Sequence, residues 1–248
     1  MRKFYVPSNQ IAENKIKILN EDINHIKNVL RLNKGDKIEI CDKDSSVNYI
    51  CEILEVSKEY VDCKILEIVK SEAEGNVELT VFQGLPKADK MELIIQKCTE
   101  LGAFKFVPVE FSRSVVKLNS KDSFKKVDRW QKIAETAAKQ SKRDLIPVVE
   151  QLINVKELCN QIKDYDLVLL AFENEENNNL KNELLKIKET KEKIKIAIII
   201  GPEGGIEEKE VSLLSDSGAK VVTLGKRILR TETAALTMAS IIMYELET

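Results

Sequence analysis

One histidine, His25, serves the whole of this 248-residue chain. A histidine-based metal cluster is therefore excluded, and a Ser-His-Asp triad would have to be built on that residue alone. A lone histidine in a β-rich stretch reads as structural. Cysteine offers no more: Cys41, Cys51, Cys63, Cys98 and Cys159 are odd in number, widely spaced and without a CxxC pair. Neither a disulfide framework nor a zinc site is expected, and no metal is assigned. No apolar run approaches the ~20 residues of a membrane span. The start, Met1-Arg2-Lys3-Phe4-Tyr5-Val6-Pro7, has no long apolar stretch behind it. No signal peptide is expected, and a cytoplasmic location is. The net charge of −2 is too small to announce a nucleic-acid binder.

What is present is enough for a packed core. Apolar residues make up 43% and charged residues 32%, which points to a globular chain of one large or two ordinary domains. Up to about residue 70 the pattern is β-rich: Lys37–Cys41, Tyr49–Leu54 and Tyr60–Ile65 are short, partly alternating runs separated by turn-forming residues. A helical piece spans Asn24–Leu30. A small barrel-like module fits this pattern. The polar segment Ser71–Asn76 marks a boundary, giving domains 1–72 and 73–248. Beyond it strand and helix alternate: strands at Leu79–Gln83, Phe106–Val109 and Asp166–Phe172, helices at Asp89–Leu101, Ser123–Ser141, Leu180–Lys193 and Thr233–Leu246. That rhythm predicts an α/β domain with a mainly parallel sheet covered on both faces.

Two loops in the last quarter carry glycine, carboxylate and arginine after short apolar strands. Ile200-Gly201-Pro202-Glu203-Gly204-Gly205-Ile206 follows Ile196–Ile200, and Leu224-Gly225-Lys226-Arg227-Ile228-Leu229-Arg230-Thr231-Glu232-Thr233 follows Val221–Thr223. The carboxyl ends of strands are where open α/β sheets bind ligands. The first loop has the layout of a phosphate-binding turn, but it lacks GxGxxG and GKS/T, and Glu203 would repel phosphate. A cationic, hydroxyl-rich ligand such as S-adenosylmethionine suits it better. An ordinary turn using glycine for positive φ remains open. In the second loop, Ile228 and Leu229 suit a wrap around an apolar ring such as adenine, with Arg230 and Glu232 as a charge pair facing the same pocket. Thr231 or Thr233 could cap the final helix. The alternative is a capped surface turn with a local ion pair.

Charge is concentrated between Arg113 and Arg143, where ten basic residues face three acidic ones, a local balance of +7. Lys125, Arg129, Lys132, Lys139 and Arg143 recur at helical spacing opposite Phe124, Val127 and Ala134. This is either a phosphate-tracking stripe or the solvated face of an amphipathic helix. Arg113 and Lys117 lie in a loop-like stretch after a strand and fit the first reading better.

Those two late motifs resemble the signature of the small-subunit (16S) ribosomal RNA uridine-N3 methyltransferases, a family of the trefoil-knot (SPOUT) superfamily. The segments Arg2–Tyr5 and His25–Arg31 resemble its PUA-like RNA-binding module. Lys87–Gly102, Arg113–Lys117 and Ala138–Arg143 resemble further family segments. The resemblance covers nearly the whole chain. It implies a small PUA-like β-barrel followed by a knotted SPOUT methyltransferase domain, although knots are rare among folds. It implies an S-adenosylmethionine pocket formed by Leu170, Glu173, Ile200, Gly201, Pro202, Glu203, Gly204, Gly205, Leu224, Gly225, Ile228, Leu229 and Glu232. It also implies a homodimer, for which the small residues Ala234, Ala235, Ala239 and Ser240 of the last helix are suited.

The expected reaction is attack of uridine N3 on the donor methyl. Arg230 is expected to stabilise the uridine anion, and Glu232 to hold Arg230 or take the proton. Arg2, Arg31, Arg113, Lys117, Arg129 and Arg143 are expected to contact the partner, 16S rRNA, free or in the small ribosomal subunit. A ribose 2′-O-methyltransferase and a non-catalytic RNA-binding protein are the alternatives.

Overall fold

Residues 1–19, 22–69, 73–187 and 193–247 are described by the computed structural model. The boundary read at residue 72 lies outside these residues, as does the stretch 188–192 of the expected charged helix. The chain divides into two units, Met1–Glu74 with Lys139–Ile146, and Gly75–Ala138 with Pro147–Thr248.

In the first unit, strict alternation at Lys15-Ile16-Lys17-Ile18 buries both isoleucines and exposes both lysines, the period-two rule of a half-buried strand. Five strands form: β1 (Lys3–Val6), β2 (Lys15–Ile18), β3 (Lys37–Asp42), β4 (Asn48–Val56) and β5 (Val61–Val69). Between β2 and β3, α1 (Asp22–Asn24) runs into a π-helical turn, His25–Val29. The strand order is β1-β3-β4-β5-β2, with β1 parallel to β3 and the other pairs antiparallel. The expected small barrel-like module is a curled sheet, whose edge strands β1 and β2 are not paired with each other among the described residues. Phe4, Ile16, Ile18, Ile26, Ile38, Ile40 and Ile53 fill its core. His25 is exposed, its ring set edge-on to Phe4.

The segment 139–146 joins this unit through buried polar contacts. The Glu74 carboxylate accepts hydrogen bonds from Arg143 Nε (3.1 Å) and Nη2 (2.6 Å) and from the backbone N–H of Asp144 (2.9 Å) and Leu145 (3.1 Å). Asp144 is paired with Lys3 and accepts from Asn48 Nδ2 at 2.7 Å. Arg143, expected as an RNA contact, is therefore only 5% exposed and ion-paired.

The second unit is a parallel sheet of seven strands: β6 (Val77–Gly84), β7 (Lys105–Glu110), β8 (Val148–Val149), β9 (Ile153–Asn154), β10 (Leu167–Ala171), β11 (Ile194–Ile200) and β12 (Lys220–Val222). Its order is β12-β10-β11-β6-β7-β8, with β9 also on β7. The β-branched run of β11 is buried on both sides, as a central parallel strand requires. Ile196, Ile198 and Ile200 face one core, while Ala197 and Ile199 face the other. Each fully buried isoleucine contributes about 1.5–3 kcal/mol.

Helices α2 (Lys90–Glu100), α3 (Ser120–Ser141), α5 (Leu180–Leu185) and α7 (Thr231–Glu247) cover the first face. Helices α4 (Val155–Gln161) and α6 (Glu208–Asp216) cover the second. Both of these shorter helices start at a capping box, Asn154 with Glu157 and Glu207 with Glu210. Helix α2 ends where Gly102 takes φ +101° and lets the Ala103 N–H reach back to the Cys98 carbonyl. The apolar side of α3 is carried by Val127, Trp130, Ala134 and Ala137, whereas Phe124, expected there, is 57% exposed. Among the described residues no helix is long and apolar enough to cross a membrane.

Replacing Glu74 with Ala leaves the buried Arg143 guanidinium without its carboxylate. The expected loss is about 2 kcal/mol of stability, since Glu74 itself is partly exposed. A urea titration of wild type against Glu74→Ala measures it.

Candidate active site

Because β12, β10 and β11 are adjacent and parallel, their carboxyl ends open on one edge of the sheet. The three turns that leave those ends wall a cavity of about 420 Å³, within the range of small-molecule sites. Ala171, Phe172 and Glu173 come from the β10 exit. Ile200, Gly201, Pro202, Glu203, Gly205 and Ile206 come from the β11 exit. Thr223 through Thr231 come from the β12 exit, and Lys90 and Ala234 complete the lining. Ile200, Leu224 and Leu229 extend from the first core and give the cavity an apolar floor.

The turns are tied together at two levels. Beneath the cavity the Thr231 hydroxyl donates to the Gly201 carbonyl at 2.6 Å and accepts from Gln83 Nε2 at 2.8 Å. Gln83 is fully buried at the end of β6. The neighbouring Gly84 is required by close approach, because Pro202 lies 2.6 Å from where a Cβ would stand. Above, Lys90 Nζ lies 2.9 Å from Glu203 Oε1 and 3.1 Å from Glu232 Oε2. The backbone N–H of Lys87 also donates to Glu203 at 3.1 Å. Burial alone would raise the Glu203 carboxyl, but these donors override it and hold it below the usual carboxylate range. The facing Glu203 and Glu232 carboxylates, which accept from it, raise the Lys90 ammonium.

Most expected site residues converge here. Glu173, Ile200, Gly201, Pro202, Glu203, Gly205, Leu224, Gly225, Ile228, Leu229 and Arg230 all line the cavity. Three do not. Leu170 is fully buried and points into the opposite core, one residue short of the turn. Gly204 packs on the Arg113 backbone, whose carbonyl oxygen would stand 2.8 Å from a Cβ. Glu232 lies in the first turn of α7, which starts two residues before the expected Thr233, and pairs with Lys90. No Arg230–Glu232 ion pair is present among the described residues, where Glu232 is instead 3.1 Å from Lys90 Nζ. Ile228 lines the cavity yet is 86% exposed, so it stands at the rim rather than in the floor. Thr231 is the first residue of α7, and its hydroxyl bridges Gln83 and Gly201.

Lys90, Thr231 and Gln83 escape sequence reasoning. Nothing in an amphipathic helix start distinguishes Lys90 from a solvated lysine until two loops from over 100 residues away close on it. Of the expected RNA contacts, Arg2, Arg31, Arg113, Lys117 and Arg129 are exposed. Arg129 is paired with Glu92 at 2.8 Å, and Arg113 reaches toward the Gly204 carbonyl at 3.5 Å. Lys139 is held by Asp22 at 3.1 Å, so the basic stripe does not continue to the end of α3. Cysteine chemistry is disfavoured, since burial pushes the Cys51, Cys63 and Cys98 thiols up to about 12.

The sheet and its turn-walled cavity are those of an RNA methyltransferase by sequence family: residues 73–243 match the RNA methyltransferase domain family, and residues 18–66 the RNA methyltransferase PUA domain family. A ribosomal RNA small subunit methyltransferase E from Bacillus subtilis (strain 168) is 40% identical over 231 residues, 93% of this chain and 90% of that protein. One from Mesomycoplasma hyopneumoniae (strain 232) is 34% identical over 95% of this chain and 96% of its own. The crystal structure of a ribosomal RNA small subunit methyltransferase E from Neisseria gonorrhoeae, bound to S-adenosyl methionine, is similar with a TM-score of 0.84 at 28% identity, covering 98% of this chain and 97% of that one. This chain belongs to the ribosomal RNA small subunit methyltransferase E family.

Thr231→Val keeps the shape but removes the hydroxyl between Gln83 and Gly201. Two buried polar groups lose a partner, so stability should fall by about 1–3 kcal/mol, while Thr231→Ser should stay close to wild type. Chemical denaturation of the three proteins tests this.

Proposed function

We propose that this protein methylates N3 of a specific uridine in small-subunit (16S) ribosomal RNA. At the coarser level it is an S-adenosylmethionine-dependent ribosomal RNA methyltransferase. The observation that carries the reading is the convergence of the Gly201–Gly205 and Leu224–Arg230 turns on one cavity with an arginine in its wall.

The cavity suits the methyl donor. Ile200, Leu224, Leu229 and Ala234 offer an apolar surface for an adenine ring, and the exposed turn backbone can read its edge. In a lining that also carries Lys90, Lys226, Arg227 and Arg230, Glu173 and Glu203 supply the carboxylates that suit a ribose diol and a sulfonium. These residues, with Gly201, Pro202, Gly205, Gly225 and Ile228, would hold it. When bound, S-adenosylmethionine supplies a methyl group made electrophilic by its sulfonium. The protein's own task is to orient the base and favour loss of its proton, because a neutral imide nitrogen is a poor nucleophile. Arg230, exposed in the cavity wall, stabilises the charge that develops at O2 or O4 of the uridine.

The same reading assigns residues 1–72 as the PUA-like RNA-binding domain and 73–248 as the SPOUT domain. Arg2, Arg31, Arg113, Lys117 and Arg129 would contact RNA phosphates, with the target base unstacked to reach the cavity. The trefoil knot comes with the SPOUT assignment of the family. Homodimer formation is supported by an apolar groove between α5 and α7, lined by Leu180, Leu184, Leu185, Ile241 and Leu246. The helix's alanines do not supply that face, since Ala234, Ala235 and Ala239 are buried in their own core. The site of action is the cytoplasm, where ribosomes are assembled.

Labelled methyl transfer to small subunits from a strain lacking the activity, followed by nucleoside analysis, should yield 3-methyluridine. A 2′-O-methylated product would overturn the assignment. Arg230→Ala should lower kcat by about 100-fold while S-adenosylmethionine affinity, read by calorimetry, stays within about twofold. RNA affinity should fall steeply with salt, and Lys117→Ala should reduce the slope of log Kd against log salt by about one.

A further inference from the structure

We propose that Lys90 is a positioning residue that clamps the two walls of the cavity, holding the Gly201–Gly205 turn and the first turn of α7 at a set separation; the proposal rests on the methyl-donor reading of that cavity. Three charged groups from three separate elements meet at this point. Lys90 opens α2, Glu203 sits in the β11 exit and Glu232 is the second residue of α7. One ammonium serves both carboxylates, at 2.9 and 3.1 Å. Their side chains are 28%, 26% and 15% exposed, so solvent screens them less than a surface pair.

Without Lys90 the two carboxylates would face each other unneutralised and push the walls apart. The buried Thr231–Gly201 bond pins the walls only at their base. Lys90 pins them at cavity level, and its side chain is itself part of the lining. Glu203 also accepts from the Lys87 N–H, so the start of α2 is locked to the same wall. Arg230 immediately precedes the clamped turn of α7, and its placement depends on that turn. Glu203, which a turn-only reading assigns to the ligand, thus has its carboxylate engaged by the protein.

The test compares the full chain with Lys90→Met, Lys90→Arg and Glu232→Gln. Calorimetry measures affinity for S-adenosylmethionine and for the product S-adenosylhomocysteine, which lacks the sulfonium charge, hydrogen exchange without ligand reports on the amides of the two walls, and urea titration reports on the fold. Lys90→Met should weaken both ligands by the same factor, about tenfold, and Lys90→Arg should restore both. Exchange in Lys90→Met should accelerate at Gly201–Ile206 and in the first turn of α7, with the core of the sheet unchanged. Glu232→Gln, outside the cavity lining, should weaken both ligands by about threefold through the clamp alone. Unchanged affinity in Lys90→Met or in Glu232→Gln would overturn the proposal. So would an effect on S-adenosylmethionine without one on S-adenosylhomocysteine, which marks a direct charge contact. If wild type bound neither ligand, the functional reading would fall, and the exchange comparison would still decide the clamp.

Discussion

Parallel pairing of β12, β10 and β11 is the constraint from which the site follows. Parallel strands send every exit to one edge, and strand adjacency sets how far apart the exits can be. The register places Leu170 opposite Ile199 and Val221, so the three chains leave the sheet at nearly the same height. The turns that follow need no long reach to enclose a ligand-sized space. The apolar floor is the top of the core itself, continued through Ile200, Leu224 and Leu229.

Above that floor the site is organised by polar links of two kinds. The Gln83–Thr231–Gly201 bonds are buried and neutral, so their strength lies in the cost of leaving any member unpaired. The Lys90 cluster is ionic and partly solvated, and its members come from turns that also wall the cavity. Cations and carboxylates are therefore sorted: Lys90 neutralises the acidic residues of two walls, and the Arg230 guanidinium is left in the lining without either of those carboxylates.

Much of this was legible in the order of residues. The isoleucine run of β11, the spacing of Met91, Ile94, Ile95 and Cys98, and the turn at Gly102 each follow from local rules of periodicity and backbone freedom. So did the convergence of two glycine turns, because strand-exit loops in an α/β rhythm share an edge. The shortfalls have local causes too. Phe124 fits the apolar side of α3 by spacing, but Trp130 and Val127 fill the available core and leave it outside. Arg143 looks like one more cation on a basic stripe, and only Glu74, folded back from 69 residues away, shows it to be a buried partner. Leu170 lies close enough to the strand end to suggest a ligand, yet strand alternation turns it to the other face.

The chain's composition and motifs determined the class of fold, the position of the cavity and the chemistry its turns favour, since these depend on residue type and near-neighbour spacing. Which charges face a ligand and which face each other was decided only by the tertiary structure. Pairing energies depend on distance and burial, and Lys90, Glu203 and Glu232 are brought together by strand order rather than by any local pattern.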